Sequence, residues 1–147
     1  MSTNRHPIVQ QALALLVCEI RQTDSLSAPD AVKDYLRLKL APKDHEVFAV
    51  VFLDAQKRAI ETEIMFRGTL TQTSVYPRKG VRALMKHNAA GVVLCHNHPS
   101  GSTTASQADL QIINTLRQAL ALVDVRVTDH LIVTTGEVLS MAERGLM

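Results

Sequence analysis

Aromatic residues are scarce in this chain. They make up 3% of 147 residues, and tryptophan is absent. A core built from it is therefore aliphatic, and there is little with which to stack nucleic-acid bases. Cysteine is also rare. Cys18 and Cys95 both sit in apolar segments, which reads as two free thiols in a reducing cytoplasm and excludes a disulfide framework. No apolar run approaches the ~18 residues that span a bilayer, and no secretory signal opens the chain, so the expected location is cytoplasmic, with no membrane partner. Neither sign of charge dominates. Sixteen basic and fourteen acidic residues leave a net charge of +2, and they are scattered rather than grouped into a phosphate-tracking stripe.

What is present is enough for a real core: 46% of the residues are hydrophobic. Val9, Leu13, Leu16 and Ile20 recur at helical spacing over 7–21. Pro29-Asp30 opens a second helix carrying Ala31, Tyr35 and Leu38. Residues 45–53 are too continuously apolar for a half-exposed strand and read as a buried central one. Asp54–Lys57 turn the chain into a second strand, 58–67. Pro77 starts a helix with Val81, Leu84, Met85 and Asn88 on its inner face, and Gly91 ends that element. A short strand, Val92 to His96, leads through loop 97–105 to a helix at 106–121. Strands at about 124–134 and 137–141 close the chain. Helices and strands alternate, but two hairpins are present. The expected fold is α/β, a mixed sheet with helices on its faces. A hairpin edge leaves homo-oligomerisation open.

The chemistry concentrates in His96-Asn97-His98-Pro99-Ser100-Gly101, followed by Ser106 and Asp109. Residues i and i+2 of a strand share a face, so His96 and His98 project together while Cys95 and Asn97 point away. Asp109 lies four, seven and eleven residues before Ile113, Leu116 and Leu120, on the inward side of its helix. An unpaired inward carboxylate is costly, and a metal held by the two histidines would compensate its charge. Three ligands leave the fourth tetrahedral position open, the arrangement of a catalytic zinc. Ser106-x-x-Asp109 is equally a helix N-cap with an acidic residue in the first turn, and the two roles are compatible. A base is also needed. Glu46, Asp54, Glu61, Glu63 and Asp129 are candidates, Glu46 standing out because it begins the most buried strand. The literal His-Asn-His is not an HNH nuclease, whose residues are dispersed over a ββα unit. A zinc deaminase would need H-x-E and P-C-x-x-C, which are absent.

The spacing His-x-His, seven residues, Ser, two residues, Asp resembles the JAMM (MPN+/JAB) metalloprotease motif at every position. Arg67-Gly68-Thr69-Leu70, Val75-Tyr76-Pro77-Arg78, the His96–Gly101 run and Asp129-His130-Leu131-Ile132-Val133 are similar to the bacterial RadC branch of that superfamily, over about residues 28–147. The resemblance implies an N-terminal helix and connector (1–27) before a JAB/MPN-like α/β/α domain (28–147), related to the cytidine-deaminase architecture. It implies zinc on His96, His98 and Asp109, with Glu46 as general acid/base and Ser106 stabilising the oxyanion. The implied activity is hydrolysis of a peptide or isopeptide bond in a peptide or protein substrate. The alternative is a DNA-repair-associated or nucleic-acid-associated accessory protein without turnover. A zinc-stabilised scaffold is a third reading. The chain resembles short RadC forms without the N-terminal helix-hairpin-helix region, and its loop Ser102–Ala105 lacks the family's usual proline before the serine, removing a φ constraint. The bulkier Val47-Phe48-Ala49 replaces a glycine-containing strand, which bears on substrate access. Arg78 stands between a substrate-carboxylate anchor and a helix-start charge. His130 stands between a ligand-orienting group and a strand-end hydrogen bond.

Overall fold

The structure, a computed structural model, describes residues 6–22, 29–67 and 77–147. The motif residues at 68–70 and 75–76 and most of the expected connector (23–28) lie outside these. Four helices and five strands are described: α1 (Pro7–Gln22), α2 (Pro29–Leu40), β1 (Val47–Leu53), β2 (Ala59–Arg67), α3 (Pro77–His87), β3 (Gly91–Asn97), α4 (Gln107–Ala121), β4 (Arg126–Val133) and β5 (Val138–Ser140). The strands form one mixed sheet in the order β2-β1-β3-β4-β5. β1 runs antiparallel to both β2 and β3, β3 is parallel to β4, and β5 returns antiparallel. This is the mixed α/β sheet expected from the sequence, both hairpins included.

The continuous apolar run of β1 has a simple cause. Val47, Ala49, Val51 and Leu53 face one cluster, with Leu36, Leu40 and Ile20 of α1 and α2. Phe48, Val50 and Phe52 face the other, with Leu84 of α3 and Ile112, Leu116 and Leu120 of α4. Helices cover both faces, so no position of β1 is left to solvent. Each aliphatic side chain so enclosed contributes roughly 1.5–3 kcal/mol over its exposed state. Among the described residues, no helix is long and apolar enough to cross a membrane.

α2 shows helix-end chemistry at both ends: Asp30 lies in the first turn and Arg37 and Lys39 in the last, each matched to the helix dipole. Its deepest residues are Leu36 and Leu40, while Leu38 is only half-buried. At the β1–β2 hairpin, Asp54 Oδ1 accepts the amides of Gln56 and Arg58, and Lys57 takes a φ of +64°.

α3 departs from the expected pattern. Its buried residues are Ala83 and Leu84, whereas Met85 is 69% exposed and Asn88 lies outside the helix. Asn88 adopts a left-handed φ of +50°, its amide donates to Met85 O, and the Ala89 amide donates to Leu84 O. That pair of bonds is the Schellman arrangement. Asn88 therefore ends the helix one turn earlier than expected. Gly91 opens β3, one residue before the expected Val92, and a Cβ there would come within 3.3 Å of Arg126 O.

Candidate metal centre

β3 delivers His96 and His98 to the α3/α4 side of the sheet. Its other parity serves α2: Cys95 joins the α1/α2 cluster, and Asn97 Nδ2 donates to Leu40 O and His45 O. The strand ends as His98 N–H donates to Val133 O, and Gly101, at φ +87°, donates back to His98 O. The left-handed residue reverses the chain toward α4.

α4 begins with a reciprocal cap. Ser106 Oγ accepts the Asp109 amide at 3.0 Å, and the Ser106 amide donates to Asp109 Oδ2 at 2.9 Å. Ile112, Ile113, Leu116 and Leu120 seat the helix on the sheet, which turns Asp109 inward. The cap and the ligand roles therefore fall on the same pair of residues.

His96, His98 and Asp109 converge, with exposures of 0, 8 and 6%. His96 Nε2 lies 2.9 Å from His98 Nε2. Asp109 Oδ2 lies 3.2 Å from His98 Nε2 and 3.5 Å from His96 Nε2. A tetrahedral metal with bonds of ~2.0–2.1 Å places its ligands about 3.3 Å apart. The two edges to Asp109 match that spacing and the His96–His98 edge is about 0.4 Å short of it, so a small divalent ion fits after a slight opening of the triangle.

The protonation pattern suits a metal as well. His98 Nδ1–H donates to Ser102 O at 2.7 Å, because a carbonyl can only accept; its Nε2 lone pair then faces the other two donors. Burial works to raise the Asp109 pKa. Hydrogen bonds from His96 and from the Ser106 amide, with the charge His96 carries while its Nε2 is protonated, outweigh it and hold the carboxyl well below the usual range; a metal at that Nε2 would take the proton's place. Asp109 is thus an anion where a cation would sit.

Behind this triangle, His96 Nδ1 lies 2.6 Å from His130 Nε2. His130 is fully buried, and burial, then the neighbouring His96, push its pKa well below the ordinary histidine value. Phe48 lies parallel to the His96 ring and packs against His130 as well.

Glu46, half-buried, is the residue before β1. Phe48 pairs with His96, so Glu46 stands two residues beyond the last β1–β3 pair, at the end of the sheet that carries His96. Alternation places it on the same side of the sheet as Phe48. The other carboxylates weighed as bases are engaged elsewhere. Asp54 holds the hairpin turn. Glu61 faces Arg21 at 3.9 Å, and Glu63 meets His87 at 2.9 Å. Asp129 accepts the amides of His130 and Ala142 and the Ser140 hydroxyl, tying down the C-terminal segment. Arg78 stands exposed in the first turn of α3.

Asn97 is the residue that sequence reasoning missed. Its Oδ1 accepts the Val47 amide at 2.7 Å and its Nδ2 donates to His45 O at 3.0 Å. One side chain thus grips the main chain on both sides of Glu46. The only signal was a polar residue at the inward position of a buried strand.

Comparison with known proteins agrees with this geometry. A family model described as a RadC-like JAB domain matches residues 26–146. The chain belongs to the RadC family. Among its relatives are proteins named UPF0758. One from Verminephrobacter eiseniae is 56% identical over 140 residues, covering 95% of this chain and 59% of the relative. One from Albidiferax ferrireducens is 54% identical, covering 95% and 60%. One from Nitrosospira multiformis is 51% identical, covering 95% and 62%. The chain spans about three fifths of the length of these RadC-family relatives. The JAB-type domain lies within the shared part.

Proposed function

We propose that this RadC-family domain is a zinc-dependent peptidase or isopeptidase of JAMM type. The observation that carries the reading is the buried triangle of His96, His98 and Asp109, whose edges come close to those of a tetrahedral metal's ligands. Two neutral imidazoles and one carboxylate are a donor set suited to zinc. When bound there, zinc supplies a Lewis acid that polarises a carbonyl and makes water more acidic.

The chain's own residues supply the rest. Glu46, two residues before the Phe48–His96 pair, takes a proton from the attacking water as oxygen adds to the carbonyl carbon. The same carboxyl passes that proton to the amine as the C–N bond breaks, so protons balance over the cycle. Ser106 Oγ accepts from the Asp109 amide, so its hydroxyl hydrogen is directed elsewhere and serves as a donor to the developing oxyanion. Asp109, buried and capped, holds its geometry throughout.

The test is metal content by mass spectrometry, followed by turnover on peptide and isopeptide substrates. About one zinc per chain is expected, lost in His98→Ala and in Asp109→Ala. Glu46→Gln should keep the zinc and lose at least ~100-fold in kcat. Zinc binding with no Glu46-dependent turnover would support the scaffold reading instead. The accessory-protein reading requires salt-dependent DNA affinity, and none at low ionic strength would remove it.

A further inference from the structure

We propose that His130 is the positioning residue that makes His96 a metal ligand, by accepting the Nδ1 proton of His96 and so directing the Nε2 lone pair into the triangle. The inference rests on the metal reading above and assigns to β4 a part of the centre that no ligand motif contains.

The geometry leaves few alternatives. A neutral imidazole has one N–H and one lone pair. His98 has its outer nitrogen bonded to a main-chain carbonyl, Ser102 O, so its tautomer is set by an acceptor that no side-chain substitution removes. His96 has no carbonyl in that position. Its outer nitrogen meets His130 Nε2 instead, at 2.6 Å. For a neutral His96, the state a metal requires, two arrangements are open to that contact. If His130 donates, the His96 proton sits on Nε2 and points into the triangle, where it excludes a metal. If His96 donates, Nε2 is bare and ready to ligate, and the single proton of His130 moves to its own Nδ1.

That Nδ1 is the one buried side-chain nitrogen or oxygen without a hydrogen-bond partner among the described residues. A buried polar nitrogen without a partner is costly, so packing alone gives no reason for a histidine at this position. The ring is also held firmly. The main-chain amide of His130 donates to Asp129, its main-chain carbonyl accepts from the Met141 amide, and Phe48 packs against the ring at a centroid distance of 5.8 Å. Leu94 pairs with His130 across the parallel β3–β4 register, so the ring lies one pleat behind His96 on the same face.

The experiment compares His130→Leu with His130→Gln, whose side-chain carbonyl can still accept the His96 proton. Zinc affinity is measured by competition with a chromophoric chelator, and the melting temperature of each metal-free protein is recorded. His130→Leu should bind zinc ~10–100-fold more weakly than the parent, and His130→Gln should recover most of that loss. Nitrogen-15 spectra of the zinc-loaded parent should show the His96 proton on Nδ1. Leu and parent proteins of equal affinity would overturn the proposal. So would Leu and Gln variants weakened alike, because packing rather than the acceptor would then be what matters. A folded parent that binds no zinc would instead overturn the metal reading itself, and this inference with it.

Discussion

Removing the Asn97 side chain should be among the most damaging single changes in this domain, although Asn97 touches no ligand. The residue is 1% exposed. It makes two well-formed hydrogen bonds, of 2.7 Å from the Val47 amide and 3.0 Å to His45 O, with a longer contact of 3.4 Å to Leu40 O. Val47 is wholly buried, so its amide cannot turn to water. Leaving the buried Val47 amide without a partner costs about 1–3 kcal/mol, and losing the bond to the carbonyl of exposed His45 adds about 1 kcal/mol, so the change should cost about 2–4 kcal/mol. For a domain of this size that is a fall of about 6–12 °C in melting temperature. In urea, with a slope of about 2 kcal/mol per molar, the midpoint should fall by about 1–2 M. Asn97→Leu separates the polar loss from the cavity, because leucine fills the volume and restores no bond. Asn97→Ala and Asn97→Leu are both measured metal-free, so that ligand binding does not mask the effect. A cost below about 1 kcal/mol for Asn97→Leu would refute the reasoning, since the strap on 45–47 would then carry no stability.

Three further outcomes follow from other contacts. Ser106→Ala removes the α4 cap and should cost about 1 kcal/mol, with Ser106→Asn largely restoring it in thermal unfolding; equal stability of all three proteins would count against the cap. Burial pushes the Cys95 thiol up from the ordinary 9.0 to about 12, so it stays protonated, and the stability tied to it is lost only as pH rises above 9.0. A thiol reagent at pH 8 should therefore modify exposed Cys18 quickly and Cys95 only on denaturation, and two fast equivalents per native chain would contradict the burial. Asp129→Ala deletes the acceptor of two amides and one hydroxyl, and should cost about 2–3 kcal/mol while speeding hydrogen exchange at the Ala142 amide. Unchanged exchange there would mean that the C-terminal segment is held by other contacts.

Much of this molecule was legible in the residue order, for a local reason. Side-chain direction repeats every two residues in a strand and every 3.6 in a helix. Parity alone placed His96 and His98 together and Cys95 apart. Helical phase alone turned Asp109 inward with Leu116 and Leu120, and Ser106-x-x-Asp109 announced its own cap. The unbroken apolar run of β1 announced a strand covered on both faces.

The tertiary structure decided what no local period encodes. Asn88 rather than Gly91 ends α3, because a left-handed residue closes the helix with bonds to the preceding turn. Which partner answers each buried polar group depends on strand order and register, and those are set by the whole core. Only the parallel β3–β4 pairing brings His130 to His96, 34 residues away in the chain. The antiparallel β1–β3 pairing likewise carries Asn97 to the flanks of Glu46, at the end of β1 where Phe48 pairs with His96. The sequence by itself determined which donors could meet a metal. The folded sheet decided which side chains hold those donors in place, because such contacts join segments that no short-range pattern connects.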